Sequence, residues 1–319
     1  MSAIKKPFLT AEQQVNHLES KGVQFNIYDK NQAVDYLKQH TNYFKLRAFR
    51  TAFPKYEAGI HQGKYLDLDF AYLCDLAIID MRLRYVLIQI ALDIEHFTKV
   101  LLLRKSELAK EDGYQIIEDY FSSLDQLHLI NLTKELKARK HNDYCGPLII
   151  KYEKSYPIWV FLEIVSFGTL IDFTKFCGQR FNDKEVRETY KMLLFVRLLR
   201  NAAAHSNCLL NRLDKKTAIY PTRHRLLAEL IHSDLDPRWV KARMSNARIQ
   251  QIITTLYIHK ELVKSKGIHS RASRDLQELK SRINYHFEYY KSNFLVTSSL
   301  QFVTTIIDAW FSLEDNRDT

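Results

Sequence analysis

Residues 69–108 read DFAYLCDLAIIDMRLRYVLIQIALDIEHFTKVLLLRKSEL. Apolar side chains recur in this stretch at steps of three and four: Phe70, Leu73, Leu76, Ile79, Leu83, Val86, Ile90, Ile94 and Phe97. That period lines one face of an α-helix, so the stretch predicts one very long helix or two stacked ones. Its most apolar part, Tyr85 to Leu103, is interrupted by Asp93, Glu95, His96 and Lys99. Charges at that spacing suit an amphipathic core helix and exclude a membrane span.

The same signals extend outward from this stretch. Thr10 with Gln13 resembles a capping box and predicts a helix through Leu18 that ends before Gly22. Helical patterning continues over 31–41, 116–140, 158–176, from Asp183 to about Asn201, and then over 240–264, 273–292 and 298–312. Pro54, Gly59 and Gly63 mark a loop, Pro221 and Pro237 bound a connector, and a β-hairpin is a candidate around 208–222. Gly168 within a helical pattern suggests close approach of a neighbouring helix. Eight Gly and six Pro in 319 residues, about 4% against roughly 12% in ordinary proteins, leave too few tight turns for a sandwich or barrel. They also exclude the Gly-rich loops that cradle nucleotide phosphates. The expectation is an all-α chain in three regions: 1–64 N-terminal, 65–215 core, and 216–319 a basic C-terminal extension.

With 46% hydrophobic and 26% charged residues, the chain has a globular balance. Cys74, Cys145, Cys177 and Cys208 lie far apart without a CxxC pair, as small core residues of a reducing cytosol do. The N-terminus shows no apolar signal segment. A cytoplasmic protein is expected.

The net charge of +10 is uneven. Residues 61–120 carry 7 basic and 11 acidic groups, residues 237–300 carry 12 basic and 4 acidic ones, and the last 19 residues turn acidic again. Arg238, Lys241, Arg243, Arg248, Lys260, Lys264, Arg271 and Arg274 fall in the basic segment, with Tyr257, His259 and His269 interleaved. A basic helical face beside aromatic groups suits an RNA backbone, where neutralised phosphates release counterions.

One segment carries chemistry: Lys191-Met-Leu-Leu-Phe-Val-Arg197-Leu-Leu-Arg200-Asn201-Ala-Ala-Ala-His205-Ser206-Asn207. Twenty Arg and 12 His make such an Arg–His spacing expected about once by chance, so its weight comes from its surroundings. Polar groups ending so apolar a helix are costly unless they bind something. Arg offers a planar fork matched to phosphate, and His moves protons near neutral pH. Arg200 and His205 together suit RNA cleavage through the substrate's own 2′-OH, with neither metal nor cofactor required. Five residues along a helix turn through about 140° net, so a straight helix does not aim both at one phosphate. Either the helix distorts after Asn201 or a second copy completes the cleft; the dimer is favoured. Asp67 and Asp69 fit a helix cap better than a metal pair.

Arg200-Asn201-Ala-Ala-Ala-His205 resembles the R-x4-6-H motif of the HEPN superfamily of helical ribonucleases. More closely, the chain resembles the Abi (abortive infection, AbiD/AbiF-like) family of bacteriophage-resistance proteins. Lys6 to Thr10, Tyr36 to Leu46, Leu73 to Glu95, Pro157 to Leu170, and Arg197 to His205 with Asn211-Arg212 carry the likeness. The resemblance implies an antiparallel HEPN-type helical bundle with N-terminal and C-terminal helical extensions, a homodimer through the HEPN helices, and no membrane association. It further implies a metal-independent endoribonuclease toxin whose catalytic residues are Arg200, His205 and Asn201, restrained by a cognate antitoxin such as a structured small RNA. Arg84 and Glu95, about three turns apart on one face of the long helix, either orient that dyad or form a buried ion pair. The other reading is a non-catalytic RNA-binding protein that holds a structured non-coding RNA on a HEPN dimer and its basic C-terminal helices.

Overall fold

The computed structural model describes residues 7–214 and 216–313. Lys6 of the first family-like block and the acidic residues 314–319 lie outside the described residues. The described residues form fifteen α-helices and no strand, an all-α fold; isolated bridges join Gln24 with Asp69 and Lys55 with Tyr65. In chain order the helices are α1 Ala11–Ser20, α2 Lys30–Gln39, α3 Tyr43–Arg50, α4 Phe70–Leu108, α5 Gln115–Ser123, α6 Gln126–Arg139, α7 Gly146–Lys151 and α8 Ile158–Ile164. They continue with α9 Phe167–Arg180, α10 Lys184–Ala204, α11 His224–His232, α12 Pro237–Met244, α13 Ala247–Leu262, α14 Lys266–Tyr285 and α15 Phe294–Trp310. The opening stretch is thus one continuous helix, α4. The described residues of 208–222 contain no strand, and α11 occupies the connector expected between Pro221 and Pro237.

Two compact units interleave along the chain, and their boundaries fall inside α4, α10, α13 and α14. The first comprises residues 1–88, 202–253 and 270–319. Its first helix opens on the expected capping box: the Gln13 amide donates to Thr10 Oγ1 and the Thr10 amide to Gln13 Oε1. Gly22 then turns the chain at φ +87°, where an added Cβ would meet Lys64 at 2.8 Å. Phe70, Leu73 and Ile79 of α4 are buried with Leu18, Leu46 and Phe49. Within this core the Asp75 carboxylate receives the Arg282 guanidinium and, at 2.5 Å, the Tyr290 hydroxyl.

The second unit comprises residues 89–201 and 254–269. Tyr120, Phe161, Phe173 and Phe176 interlock edge to face, tilted or stacked, with ring centroids 5.1–6.0 Å apart. The helical pattern expected over 158–176 is broken at Val165-Ser166: Ser166 caps a new helix, α9, its hydroxyl accepting the Thr169 amide, and the Glu135 carboxylate braces that cap by accepting from the Ser166 amide and from the Ser166 and Thr169 hydroxyls. Gly168 lies under the Arg197 guanidinium, 3.2 Å from where a Cβ would sit, which is the close approach its sequence position suggested. Asp183 opens α10 as expected, its Oδ1 accepting the Val186 amide while Lys105 donates to Oδ2 at 2.6 Å.

Glycine is scarce enough that other residues make most left-handed turns. Among the described residues, Asp67, Lys110, Asn182, Ser206, Arg212, Lys216 and Asp234 have positive φ, against three glycines.

Candidate functional site

Helix α10 is charged over its first turns and apolar from Met192 to Leu199 but for Arg197, and only one side of that apolar run is buried. Leu193, Val196 and Leu199 are buried in the second unit, whereas Leu194 and Leu198 are 39% and 57% exposed. Arg200, half-buried on the last turns, donates from Nη1 to Asn201 Oδ1 at 3.4 Å, and Asn201 is exposed.

The helix stays regular through Ala204 and then ends on a cap made of backbone alone. Ser206 takes φ +56°, its amide donates to the Ala203 carbonyl, and the Asn207 amide donates to the Ala202 carbonyl. That bond pair is a Schellman motif with serine where glycine is usual. His205 is the cap residue itself and is exposed.

Two groups of the first unit hold this cap from beneath. The Lys45 ammonium, from α3, donates to the Ser206 carbonyl at 2.5 Å, where a cation also suits the negative end of a helix. The Asp80 carboxylate, fully buried on α4, accepts the amides of Leu209 at 2.6 Å and Leu210 at 3.0 Å through Oδ1. Its Oδ2 receives Arg84 Nε at 3.0 Å. Burial pushes the Asp80 carboxyl up from its ordinary value, against the pull of those amides and of Arg84. Burial, together with the Arg84 charge, lowers the Lys45 ammonium. Cys208 donates to the Lys45 carbonyl at 4.0 Å, and burial pushes its thiol up to about 11, which leaves it a poor nucleophile.

Arg84 therefore forms a buried ion pair, with Asp80 one turn earlier rather than with Glu95. Glu95 is half-buried in the second unit with no ion-pair partner among the described residues. Asp80 is the residue sequence reasoning passed over: its partners lie about 130 positions later, beyond any local pattern. Asp69 acts as the expected cap, accepting the Ala71 and Asn26 amides. Glu163 meets Lys99 at 3.7 Å, and Trp159, half exposed, packs against Gly113 and the edge of Tyr114. Arg197 borders a 240 Å³ cleft with Glu135, His128 and Asp172; burial pushes the Asp172 carboxyl up against the attraction of Arg197.

The basic C-terminal segment does not form the single solvated face its charge count suggested. Arg243 is 2% exposed and donates from Nη1 to Ser299 Oγ at 2.9 Å, so it presents no charge to solvent. Arg248 is half-buried against Asn211. Every residue of α13 from Ile249 to His259 is buried, including Tyr257 and His259, so those rings are core groups. Arg238 and Lys241 of α12, and Lys264, Arg271 and Arg274, are exposed, while Lys260 is half-buried. These residues are divided between the two units.

No helix among the described residues is long and apolar enough to cross a membrane. No curated protein and no solved structure matches the chain significantly. A family model described as Abi-like protein matches residues 35–211, a span that contains Lys45, Asp80, Arg84 and the whole segment from Arg200 to Leu210. Matched over more than half its length, the chain belongs to the Abi-like protein family, and that membership suggests a part in abortive-infection defence against bacteriophage.

Proposed function

We propose that the chain is a HEPN-type endoribonuclease toxin whose RNA cleavage arrests the growth of an infected cell. The observation that carries this reading is the cap of α10, which offers His205 to solvent on a backbone fixed by Lys45 and Asp80. In this reading the 2′-OH of the substrate attacks the adjacent phosphorus and the bond to the 5′-oxygen breaks. His205 takes the 2′-OH proton or supplies one to the departing oxygen. Arg200 stabilises charge on the phosphorane, and Asn201 bonds a phosphate oxygen. The products are a 2′,3′-cyclic phosphate and a free 5′-hydroxyl.

Because α10 stays helical through Ala204, Arg200 and His205 stand about 140° apart around its axis. Leu194, Leu198, Asn201 and His205 instead follow one another at four, three and four residues, a single stripe. Its two leucines are exposed, and α4 carries a second exposed apolar stripe at Leu92, Val100 and Leu103. A second copy packed along the α10 stripe buries the leucines and faces Asn201 and His205 across the seam, completing the site with groups from two chains. The toxin acts on RNA in the cytoplasm and is restrained by an antitoxin, for which a structured small RNA is the preferred candidate.

Expression of the chain should arrest growth, and Arg200→Ala or His205→Ala should relieve the arrest at equal protein level. Arrest by both variants as strong as by the parent sinks the dyad. Sequencing the RNA that co-purifies with the protein tests the antitoxin.

A further inference from the structure

Helix α3, which anchors the cap of α10 through Lys45, also carries a side chain with no role in the fold. Phe44 is 73% exposed, although its neighbours Leu46 and Phe49 are core residues. The Arg47 guanidinium, one turn on, lies 5.8 Å from the Phe44 ring centroid. The edge of Tyr43 braces the ring at 6.4 Å, and Tyr43 is itself held by Arg50, whose Nη1 donates to its hydroxyl at 3.2 Å. The ring is thus fixed from two sides while most of its surface stays open.

We infer that Phe44 and Arg47 form a platform on which an unpaired base of the RNA stacks beside the His205 cap. This inference rests on the ribonuclease reading and names how its substrate is held. Charge decides the occupant. Helix α3 carries Lys45, Arg47 and Arg50 and no acidic residue, and Arg47 has no carboxylate partner among the described residues. An open aromatic ring beside the exposed Arg47 cation matches a polyanion with flat π-faces, as single-stranded nucleic acid is. A paired base has both faces covered by its neighbours in the duplex, so the occupant is single-stranded. Proximity decides the role. Lys45 follows Phe44 directly and is bonded to the residue after His205, so α3 and the cap hold a fixed relation.

The test uses full-length protein carrying His205→Ala, so that binding is read without cleavage. Its probes are a fluorescein-labelled single-stranded RNA and a duplex RNA of equal length. Phe44→Ala should weaken single-strand binding about tenfold or more, the order expected when a stacked base loses its aromatic partner. Phe44→Trp should restore it, and duplex binding should not change. Arg47→Ala should lower affinity and flatten the salt dependence. RNA containing 4-thiouridine should photocrosslink to the α3 peptide.

Single-strand affinity unchanged in Phe44→Ala overturns the platform, as does equal loss for single strand and duplex. A changed oligomeric state in Phe44→Ala overturns it too, in favour of a protein interface. The ribonuclease reading fails separately: if the parent protein cuts no RNA while Phe44-dependent binding persists, the platform stands without the cleavage.

Discussion

Replacing Asp80 by Ala removes one carboxylate that three groups share. The amides of Leu209 and Leu210 are buried and lose their acceptor, each at about 1–3 kcal/mol. The Arg84 guanidinium, 6% exposed, loses its counter-charge, and breaking such a buried pair from one side costs about 3–5 kcal/mol. The costs overlap because one group supplies all three bonds, so the expected loss is about 4–6 kcal/mol rather than their sum. That is a large share of the roughly 5–15 kcal/mol by which folded proteins are stable. Urea denaturation followed by far-UV circular dichroism measures it, and hydrogen exchange at the Leu209 and Leu210 amides locates it. The double variant Asp80→Ala with Arg84→Met is the sharper test, because it removes the stranded cation as well. It should be more stable than Asp80→Ala alone. A single variant within about 1 kcal/mol of the parent, or a double variant no better than the single, refutes the account of Asp80 as the clamp under the α10 cap.

Leu198→Glu places a charge in the proposed α10 seam and should shift the protein to monomer in light scattering at micromolar concentration; an unchanged mass removes the seam from α10. Ser206→Gly should stabilise by about 0.5–1 kcal/mol, since left-handed backbone costs an L-residue roughly 1–2 kcal/mol and glycine's freedom in the unfolded chain gives back only part of that. Ser206→Val should destabilise, and equal melting temperatures for both variants exclude strain at the cap. Glu12, hydrogen-bonded by Lys38 at 2.6 Å, has its carboxyl held at about 2 in place of its ordinary 4.5. A depressed native value means that its contribution is present above pH 4.5 and is lost as pH falls toward about 2. NMR titration should find that midpoint, and Lys38→Met should return it toward the ordinary value.

Local chemistry is legible in this sequence, and distant partners are not. Thr10 with Gln13 and Asp183 with Val186 mark helix starts because cap and amide lie three residues apart. Ser166 and Thr169 carry the same local signal, the hydroxyl accepting an amide three residues on, but the Glu135 carboxylate that holds Ser166 in place comes from another helix and leaves no local trace. The break between α12 and α13 depends on Asn246, whose side-chain amide donates to the carbonyls of Arg212 and Asp214. The cap residue His205 stands out by composition, yet Asp80 and Lys45 beneath it are ordinary members of helical patterns until the chain folds. Charge counting finds a basic segment but cannot separate Arg243, which the core takes in, from Lys241, which it leaves outside.

The left-handed turns made without glycine bear on how much of this protein a cell keeps. Seven such residues, at roughly 1–2 kcal/mol for an ordinary side chain and less for Asp and Asn, add to a cost of the same order as a fold's whole net stability. Relieving or adding such strain matters in a cell, because a change of about 1–2 kcal/mol alters steady-state abundance several-fold through proteolysis of the unfolded fraction. A substitution at a single turn residue such as Ser206 or Lys110 can therefore change abundance through stability alone, far from any bond that is made or broken.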